Sequence, residues 1–134
     1  DGEIEFGMGV HGEPGIRRMK LLSADEIADM LVRLILEDSG IHAGEHVCTL
    51  VNGLGSTSLA ELYILNRKVT ELLRDRGIVI HNEQVGSYVT CQEMAGASLT
   101  LLRLDEELQQ YYDTPCWSPY YQKRVRKAEL HEKD

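Results

Sequence analysis

Residues 46–73 read HVCTLVNGLGSTSLAELYILNRKVTELL, and the order of apolar and polar positions in this stretch decides the fold class. The first part, 46–52, is a short apolar run rich in β-branched residues, which is typical of a buried strand. A glycine-containing loop follows and ends at Ser58, which forms a capping box with Glu61 three residues later. Apolar residues then recur at helical spacing. The stretch therefore predicts a strand, a loop and an amphipathic helix that ends at Gly77.

The segment before this stretch repeats the alternation of strand and helix. A second capping box, Ser23 with Glu26, begins a helix whose apolar residues keep helical spacing and which ends at Gly40. Further upstream, residues 3–10 alternate apolar and polar side chains, which is typical of a half-buried strand. The Pro-Gly pair at 14–15 predicts a type II turn after it.

The segment after this stretch is richer in strands. A third strand starts at 78–80, residues 85–91 are a further strand candidate, and 97–104, ASLTLLRL, predict a clear one. Asp105 is placed to cap a short helix over 106–112.

This element order predicts one mixed αβ domain. We expect a mixed β-sheet of about five to six strands, packed mainly on one face by the two long helices. With 134 residues the chain is long enough for one hydrophobic core. We assign the domain to residues 1–113 and a C-terminal tail to 114–134, with a loosely attached helix in the late part of the tail.

The composition excludes several classes of protein. Hydrophobic residues make up 43% and charged residues 27%, which is typical of a globular domain and not of a disordered chain. No apolar run is long enough to span a bilayer, and the acidic start DGEIEF is unlike a signal peptide. The net charge of −8 disfavours binding to nucleic acid. The chain also lacks an initiator Met, so we expect it to be a piece of a longer protein.

The cysteines and histidines indicate a reducing compartment and no metal site. Cys48, Cys91 and Cys116 are odd in number and lack CxxC spacing, so we predict a cytoplasmic protein without disulfides. Cys48 and Cys91 lie in apolar runs and are interpreted as buried, inert thiols. The five histidines show no metal-ligand spacing. We therefore predict no metal and no cofactor bound by this chain itself.

His11 is the first candidate functional residue. If the strand continues to His11, the ring shares a face with Gly7 and Gly9, points away from the core and leaves room for a small molecule or another chain. The alternative is a solvent-facing histidine beside a tight turn. Glu13, two residues later, is able to fix the tautomer of the imidazole and raise its basicity. The alternative for Glu13 is an acidic residue that begins the turn.

Three further features are open to two interpretations. The loop 52–58 joins a strand to a helix N-terminus, as anion sites do, but NGLGSTS matches neither phosphate-binding motif, so a helix-capping loop is favoured over a phosphate cradle. The basic cluster at 123–127 is interpreted as a solvated tail, with a site for an acidic partner as the alternative. The C-terminal aromatic residues are expected to seal the domain edge or an interface; they are Tyr111, Tyr112, Trp117, Tyr120 and Tyr121.

Three blocks of sequence resemble one known family. Residues 5–15, EFGMGVHGEPG, resemble the signature of the dihydroxyacetone kinase substrate-binding subunit. Residues 50–63, LVNGLGSTSLAELY, and 86–104, GSYVTCQEMAGASLTLLRL, are similar to two later blocks of that family, in the same order. The resemblance spans 1–113, and the first block is highly specific.

The resemblance implies a role for His11. In that family the matching histidine forms a covalent hemiaminal with the carbonyl carbon of dihydroxyacetone, which selects short ketones and aldehydes over polyols such as glycerol. Gly9, Gly12 and Glu13 are implied as its substrate-binding neighbours. This chemistry agrees with the residues, because a neutral imidazole is a competent nucleophile towards a carbonyl.

The resemblance also implies partners. In the family a separate nucleotide-binding subunit or domain, carrying ADP or ATP with Mg²⁺, supplies the phosphoryl group. In phosphotransferase-system versions a phosphocarrier protein re-phosphorylates the ADP in place. The product is dihydroxyacetone phosphate. The family's N-terminal domain, with its acid/base His and Asp, is missing from this chain. We therefore expect a C-terminal domain that is inactive alone. We also expect a homodimer, formed through the sheet edge or through the aromatic C-terminal region.

Two other functions are kept beside the glycerone kinase interpretation. A paralogous co-activator would bind the same ketone and regulate transcription without catalysis. A structural or oligomerisation module would leave His11 without a chemical role. A kinase for four-carbon ketoses is a variation on the first interpretation, because its substrate carbonyl would be bound in the same way.

Overall fold

The computed structural model describes residues 2–9 and 11–124. In chain order the elements are β1 Glu3–Phe6, β2 Arg17–Lys20, α1 Ala24–Ser39, β3 His46–Gly53, α2 Leu59–Asp75, β4 Val79–Gly86, β5 Ala97–Leu104, α3 Glu106–Asp113, β6 Cys116–Trp117 and β7 Gln122–Lys123. The central strand of the main sheet is β3, which pairs in parallel with β4 and antiparallel with β5. The predicted mixed αβ class and mixed sheet are confirmed.

The main sheet is smaller than we expected. It contains the three strands β4, β3 and β5 in that order, and not five to six. The other described strands pair off into two separate two-stranded ribbons, β1 with β2 and β6 with β7. The predicted strand at 3–10 therefore belongs to a local ribbon and not to the main sheet.

The two long helices begin at the predicted capping boxes. The Ser23 hydroxyl accepts a hydrogen bond from the Glu26 N–H, and the Glu26 carboxylate accepts one from the Ser23 N–H. Ser58 and Glu61 make the same pair of bonds at the start of α2. In each box the hydrogen bonds from serine lower the pKa of the glutamate, because they stabilise its charged form. Both helix starts are confirmed.

The core lies between these helices and one face of the sheet. Val47 and Val51 of β3 are fully buried there, with Leu99 of β5 beside them. The helical residues that cover them are Ala28, Val32, Leu62, Leu65, Val69, Leu72 and Leu73. Full burial of each such valine or leucine contributes about 1.5–3 kcal/mol. This apolar layer fixes the orientation of α2 and hence of the loop before it.

A polar cluster covers the opposite face of the sheet. Gln84 of β4 donates hydrogen bonds to the hydroxyls of Tyr112 at 3.0 Å and Tyr121 at 2.5 Å. Cys48 is buried beneath Tyr112 and shares a hydrogen bond with it, and burial raises the pKa of both groups. The predicted burial of Cys48 is confirmed, whereas Cys91 is exposed in a loop, so the prediction for it is wrong. The cluster attaches α3 and the tail to the sheet.

Three local predictions are wrong, and one strand was not predicted. The first strand ends at Phe6, because the chain turns at Gly7 with φ +75°. The turn at 14–15 is not type II, since Gly12 and not Gly15 takes a positive φ. The strand candidate 85–91 is the end of β4 followed by a loop. The strand β2 has no counterpart in the prediction.

The described part of the tail is a small hairpin. Strands β6 and β7 pair antiparallel, and Trp117 on β6 is 74% exposed. The predicted late helix, with Arg126 and Lys127 of the basic cluster, falls outside the described residues. None of the described helices is long and apolar enough to cross a bilayer.

Candidate functional site

The segment 7–15, here called the histidine loop, joins β1 to β2. The two strands pair antiparallel and pack mainly against each other. The loop closes where the Ile16 N–H donates to the Phe6 carbonyl at 2.7 Å. The loop is therefore the end of a two-stranded ribbon and is not buried in the main sheet.

Two glycines allow the histidine loop to fold onto itself. Gly12 has a φ of +86°, a conformation that favours glycine, and its N–H donates to the Gly9 carbonyl at 3.1 Å. The Gly9 N–H in turn donates to the Glu13 carbonyl at 3.0 Å. A Cβ on residue 9 would lie 2.0 Å from Oε2 of Glu13. Only glycine at position 9 leaves space for the carboxylate of Glu13.

His11 lies at the apex of this loop with its side chain 89% exposed. The His11 N–H donates to Oε2 of Glu13 at 3.1 Å, and Nδ1 of the ring lies 3.6 Å from Oε1. The strand-parity argument for His11 is wrong, because the strand ends at Phe6. The ring is accessible for another reason, its place at the loop apex. The structure brings together the four residues singled out from the sequence: Gly9, His11, Gly12 and Glu13.

The two ring nitrogens of His11 have different surroundings. Nδ1 is the one that lies 3.6 Å from the Glu13 carboxylate, and the ring is otherwise open to solvent, so the Nε2 side is accessible. Because the ring is exposed, a small electrophile can reach Nε2 from solvent. The loop is thus equipped for nucleophilic addition to a carbonyl. Across residues 2–9 and 11–124, His, Cys, Asp and Glu side chains form no group of three that could hold a metal ion.

The second candidate loop, 52–58, lies against residues 86–96, and the two segments together are here called the loop seam. Asn52 is buried at their junction, with 4% exposure. Its Oδ1 accepts from the N–H groups of Tyr88 and Val89 at 2.8 and 2.9 Å, and its Nδ2 donates to the Val89 carbonyl at 2.8 Å. The amide of Asn52 therefore replaces the main-chain pairing that β4 no longer offers after Gly86.

The remaining polar groups of 52–58 also bind protein atoms. The Thr57 hydroxyl donates to the Gly96 carbonyl at 2.8 Å and accepts from the Gly96 N–H at 2.9 Å. Ser56 donates to the Glu93 carbonyl, and Ser58 caps α2. Gly55 passes so close to 91–94 that a Cβ would lie 1.9 Å from the Gln92 carbonyl oxygen. These bonds favour the helix-capping interpretation, and the phosphate-cradle alternative finds no support in them.

Sequence reasoning misses one residue at the base of the histidine loop. Glu5 reaches across from β1 and accepts a hydrogen bond from the Gly15 N–H at 2.8 Å. Its only signal in the sequence is an acidic residue on the strand that precedes the loop. The partner strand β2, which brings Gly15 beside Glu5, has no apolar alternation to reveal it.

Comparison with known proteins gives matches along nearly the whole chain. The Dak1 domain family matches residues 1–120. Over 121 residues the chain is 46% identical to the PTS-dependent dihydroxyacetone kinase 2, dihydroxyacetone-binding subunit DhaK, of Listeria innocua, and the match covers 90% of this chain and 37% of that subunit. It is 40% identical over 127 residues to the L-erythrulose kinase of Pectobacterium atrosepticum, covering 92% of this chain and 22% of that enzyme.

A solved structure gives the same result for the fold. The dihydroxyacetone kinase operon co-activator Dha-DhaQ superposes with a TM-score of 0.75 and 38% sequence identity. The superposition covers 85% of this chain and 36% of that one. The chain thus spans well under half the length of each of these three proteins.

Proposed function

The chain belongs to the Dak1 domain family, and from this membership we propose that it is the substrate-anchoring domain of a dihydroxyacetone kinase. In this proposal His11 holds dihydroxyacetone covalently while a separate nucleotide-binding subunit supplies the phosphoryl group. The observation that carries the proposal is the geometry of the histidine loop, where an exposed imidazole turns Nδ1 towards the carboxylate of Glu13 at 3.6 Å.

The proposed step is a reversible addition. The lone pair of Nε2 on His11 attacks the carbonyl carbon, and a C–N bond forms. The π electrons of the carbonyl move to its oxygen, which takes up a proton from solvent. The proton on Nδ1 leaves to Glu13 or to solvent, so the imidazole ends neutral. The hemiaminal therefore contains every atom of the ketone, unlike a lysine Schiff base, which forms with loss of water.

This anchoring explains selection and positioning in the proposed reaction. A polyol such as glycerol has no carbonyl and cannot form the bond. Gly12 carries no side chain next to the ring, and no atom lies within 4 Å of the place where its Cβ would be, so a short ketone meets little steric hindrance on that side. A tethered substrate has already lost its translational freedom before phosphoryl transfer begins. ADP or ATP with Mg²⁺ would be bound by the partner subunit, and dihydroxyacetone phosphate would be the product.

Two alternative functions are each favoured by one of the comparisons. The solved co-activator resembles this chain at 38% identity, so a ketone sensor without catalysis would use the same histidine loop. The erythrulose kinase at 40% identity favours a four-carbon ketose as an alternative substrate. The proposal also includes two predicted partners of this chain: the N-terminal domain of the same subunit and a second copy of the chain in a homodimer.

The experiment is intact mass spectrometry on the longest natural chain that contains this sequence. The protein is incubated with dihydroxyacetone, with L-erythrulose and with glycerol, as wild type and as His11→Ala. We expect both ketones to add their full mass to the wild type, glycerol to add nothing, and His11→Ala to add nothing. His42→Ala is the matched control, because His42 is also an exposed histidine beside a glutamate.

Two outcomes would change the assignment. An adduct that survives His11→Ala, or one that has lost water, would contradict anchoring at His11. An adduct without phosphorylation, even when the nucleotide-binding subunit and phosphoryl donor are added, would favour the co-activator over the kinase.

A further inference from the structure

The carboxylate of Glu5 joins the end of β1 to the end of the histidine loop. Its Oε1 accepts the hydrogen bond from the Gly15 N–H at 2.8 Å. Its Oε2 lies 3.4 Å from Nε of Arg18, which stands directly opposite Glu5 in the register of β1 and β2. The Glu5 side chain is only 29% exposed, although the ribbon is thin. One carboxylate thus holds the loop at one oxygen and the partner strand at the other.

The absence of a side chain at Gly15 allows the close approach of Glu5. A Cβ on residue 15 would lie 2.7 Å from Cγ of Glu5 and 2.7 Å from the Phe6 carbonyl oxygen. The next residue, Ile16, donates its N–H to the same carbonyl. The return of the chain is therefore fixed at two successive residues, by the main chain at 16 and by a side chain at 15.

A stiff link connects this contact to Glu13. Pro14 has its own φ fixed by the pyrrolidine ring, and it restricts the residue before it to extended backbone. Few free main-chain torsions therefore separate the amide of Gly15 from the Cα of Glu13, whose carboxylate faces His11. When the Gly15 N–H is held, the position of Glu13 is narrowly defined as well.

We propose that Glu5 is a positioning residue for His11, acting through Gly15, Pro14 and Glu13. The proposal rests on the proposed function, since it concerns the loop conformation in which the imidazole adds to a ketone. The hydrogen bond to Gly15 is charge-assisted and stronger than one to a neutral acceptor. Its loss would reduce the populated fraction of the competent loop, and the fraction of protein carrying the adduct, by about tenfold at low ketone concentration.

The experiment compares three variants in the longest natural chain that contains this sequence. Glu5→Ala removes both contacts, and Glu5→Gln keeps an oxygen for Gly15 but loses the charge that attracts Arg18. Glu3→Ala is the matched control, because Glu3 lies two residues earlier on the same face of β1 but stands opposite Lys20, at the end of the ribbon away from Gly15. The adduct fraction is measured by intact mass against dihydroxyacetone concentration. We expect a loss of about tenfold for Glu5→Ala, a smaller loss for Glu5→Gln and no change for Glu3→Ala.

Amide hydrogen exchange separates positioning from unfolding of the ribbon. The Gly15 and Ile16 amides are followed by NMR in the same longest natural chain. We expect Glu5→Ala to lose protection at Gly15 while Ile16 stays protected, and Glu5→Gln to retain part of the Gly15 protection. An unchanged adduct fraction in Glu5→Ala overturns the positioning role and leaves the anchoring by His11 intact. Loss of protection at Ile16 in Glu5→Gln overturns it as well, because Glu5 would then hold the strands and not the loop. A wild type that forms no adduct overturns both proposals.

Discussion

The histidine loop and the loop seam are both rich in glycine, yet they are held in opposite ways. In the loop seam the side chains of Asn52 and Thr57 are bound to main-chain groups of the opposing segment. In the histidine loop the bonds are local, and the ring of His11 stands in solvent. A loop whose side chains bind an opposing segment stabilises the fold, whereas a loop that is held by its own hydrogen bonds leaves an exposed nucleophile available for chemistry.

Replacing Asn52 should give the largest loss of stability. Asn52→Ala removes four hydrogen bonds and leaves the amides of Tyr88 and Val89 without their acceptor. We expect the free energy of unfolding to fall by about 3 kcal/mol, because the four lost hydrogen bonds are partly buried and two N–H groups lose their acceptor. Urea unfolding followed by circular dichroism measures this. A loss below about 1 kcal/mol would contradict the conclusion that the loop seam stabilises the fold while the histidine loop does not.

A matched pair of glycine substitutions should give the next largest effect. Gly55→Ala places a Cβ against the Gln92 carbonyl, at a φ of +143°, and we expect a loss of about 2–3 kcal/mol in unfolding free energy. Gly12→Ala also sits at a positive φ, but nothing lies within 4 Å of its Cβ. Since the ribbon packs mainly against itself, we expect the global transition of Gly12→Ala to match the wild type. Equal losses for the two variants would show that the ribbon is part of the cooperative unit.

Alkaline pH should loosen the main domain and leave the histidine loop unaffected. Burial raises the pKa of the Cys48 thiol and of the Tyr112 hydroxyl, so the folded state favours both neutral forms. Their contribution to stability is complete below the unfolded pKa of cysteine, about 8.5, and declines as the pH rises towards the folded values. We expect unfolding free energy to fall between about pH 8.5 and 11, and Tyr112→Phe to reduce the upper part of that fall. A flat profile in the wild type would contradict this assignment.

The smallest effect should come from neutralising Glu13. Glu13→Gln keeps an oxygen for the His11 N–H but loses the charge that favours the proton on Nδ1. We expect about threefold less ketone adduct at subsaturating concentration, with unchanged thermal unfolding, because a neutral acceptor binds more weakly than a carboxylate. Intact mass spectrometry and circular dichroism measure the two quantities. A change in thermal unfolding without a change in the adduct fraction would show that Glu13 stabilises the loop and does not assist the addition.

Local signals in the sequence predicted most of the fold. The capping boxes at Ser23 and Ser58 are each complete within four residues, so both helix starts are correct. The strand 97–104 is also correct in its bounds, because apolar residues mark it along its whole length. The predicted strand at 85–91 is wrong. The residues after Val85 have the composition of a strand, but their N–H groups at 88 and 89 bind the side chain of Asn52 and not a neighbouring strand.

The candidate site, like the fold, has some contacts that local sequence indicates and others that it does not. The approach of Glu13 to His11 agrees with one of the two interpretations that their close spacing allowed, since one residue separates them. The strand β2, RRMK, lacks apolar alternation and forms only because it pairs with β1. Glu5 and Gly15 are ten residues apart and meet only through that pairing. Contacts that depend on a partner strand cannot be recognised from the spacing of either segment.

The exposed position of Trp117 has a practical consequence for spectroscopy. It is the chain's one tryptophan, and it lies on the tail hairpin at 74% exposure, away from the apolar core. Its emission should therefore be red-shifted already in the native protein and change little when the core unfolds. The same exposure makes the indole a sensitive reporter of anything that covers the tail, since a blue shift on mixing with another protein would signal burial of that hairpin.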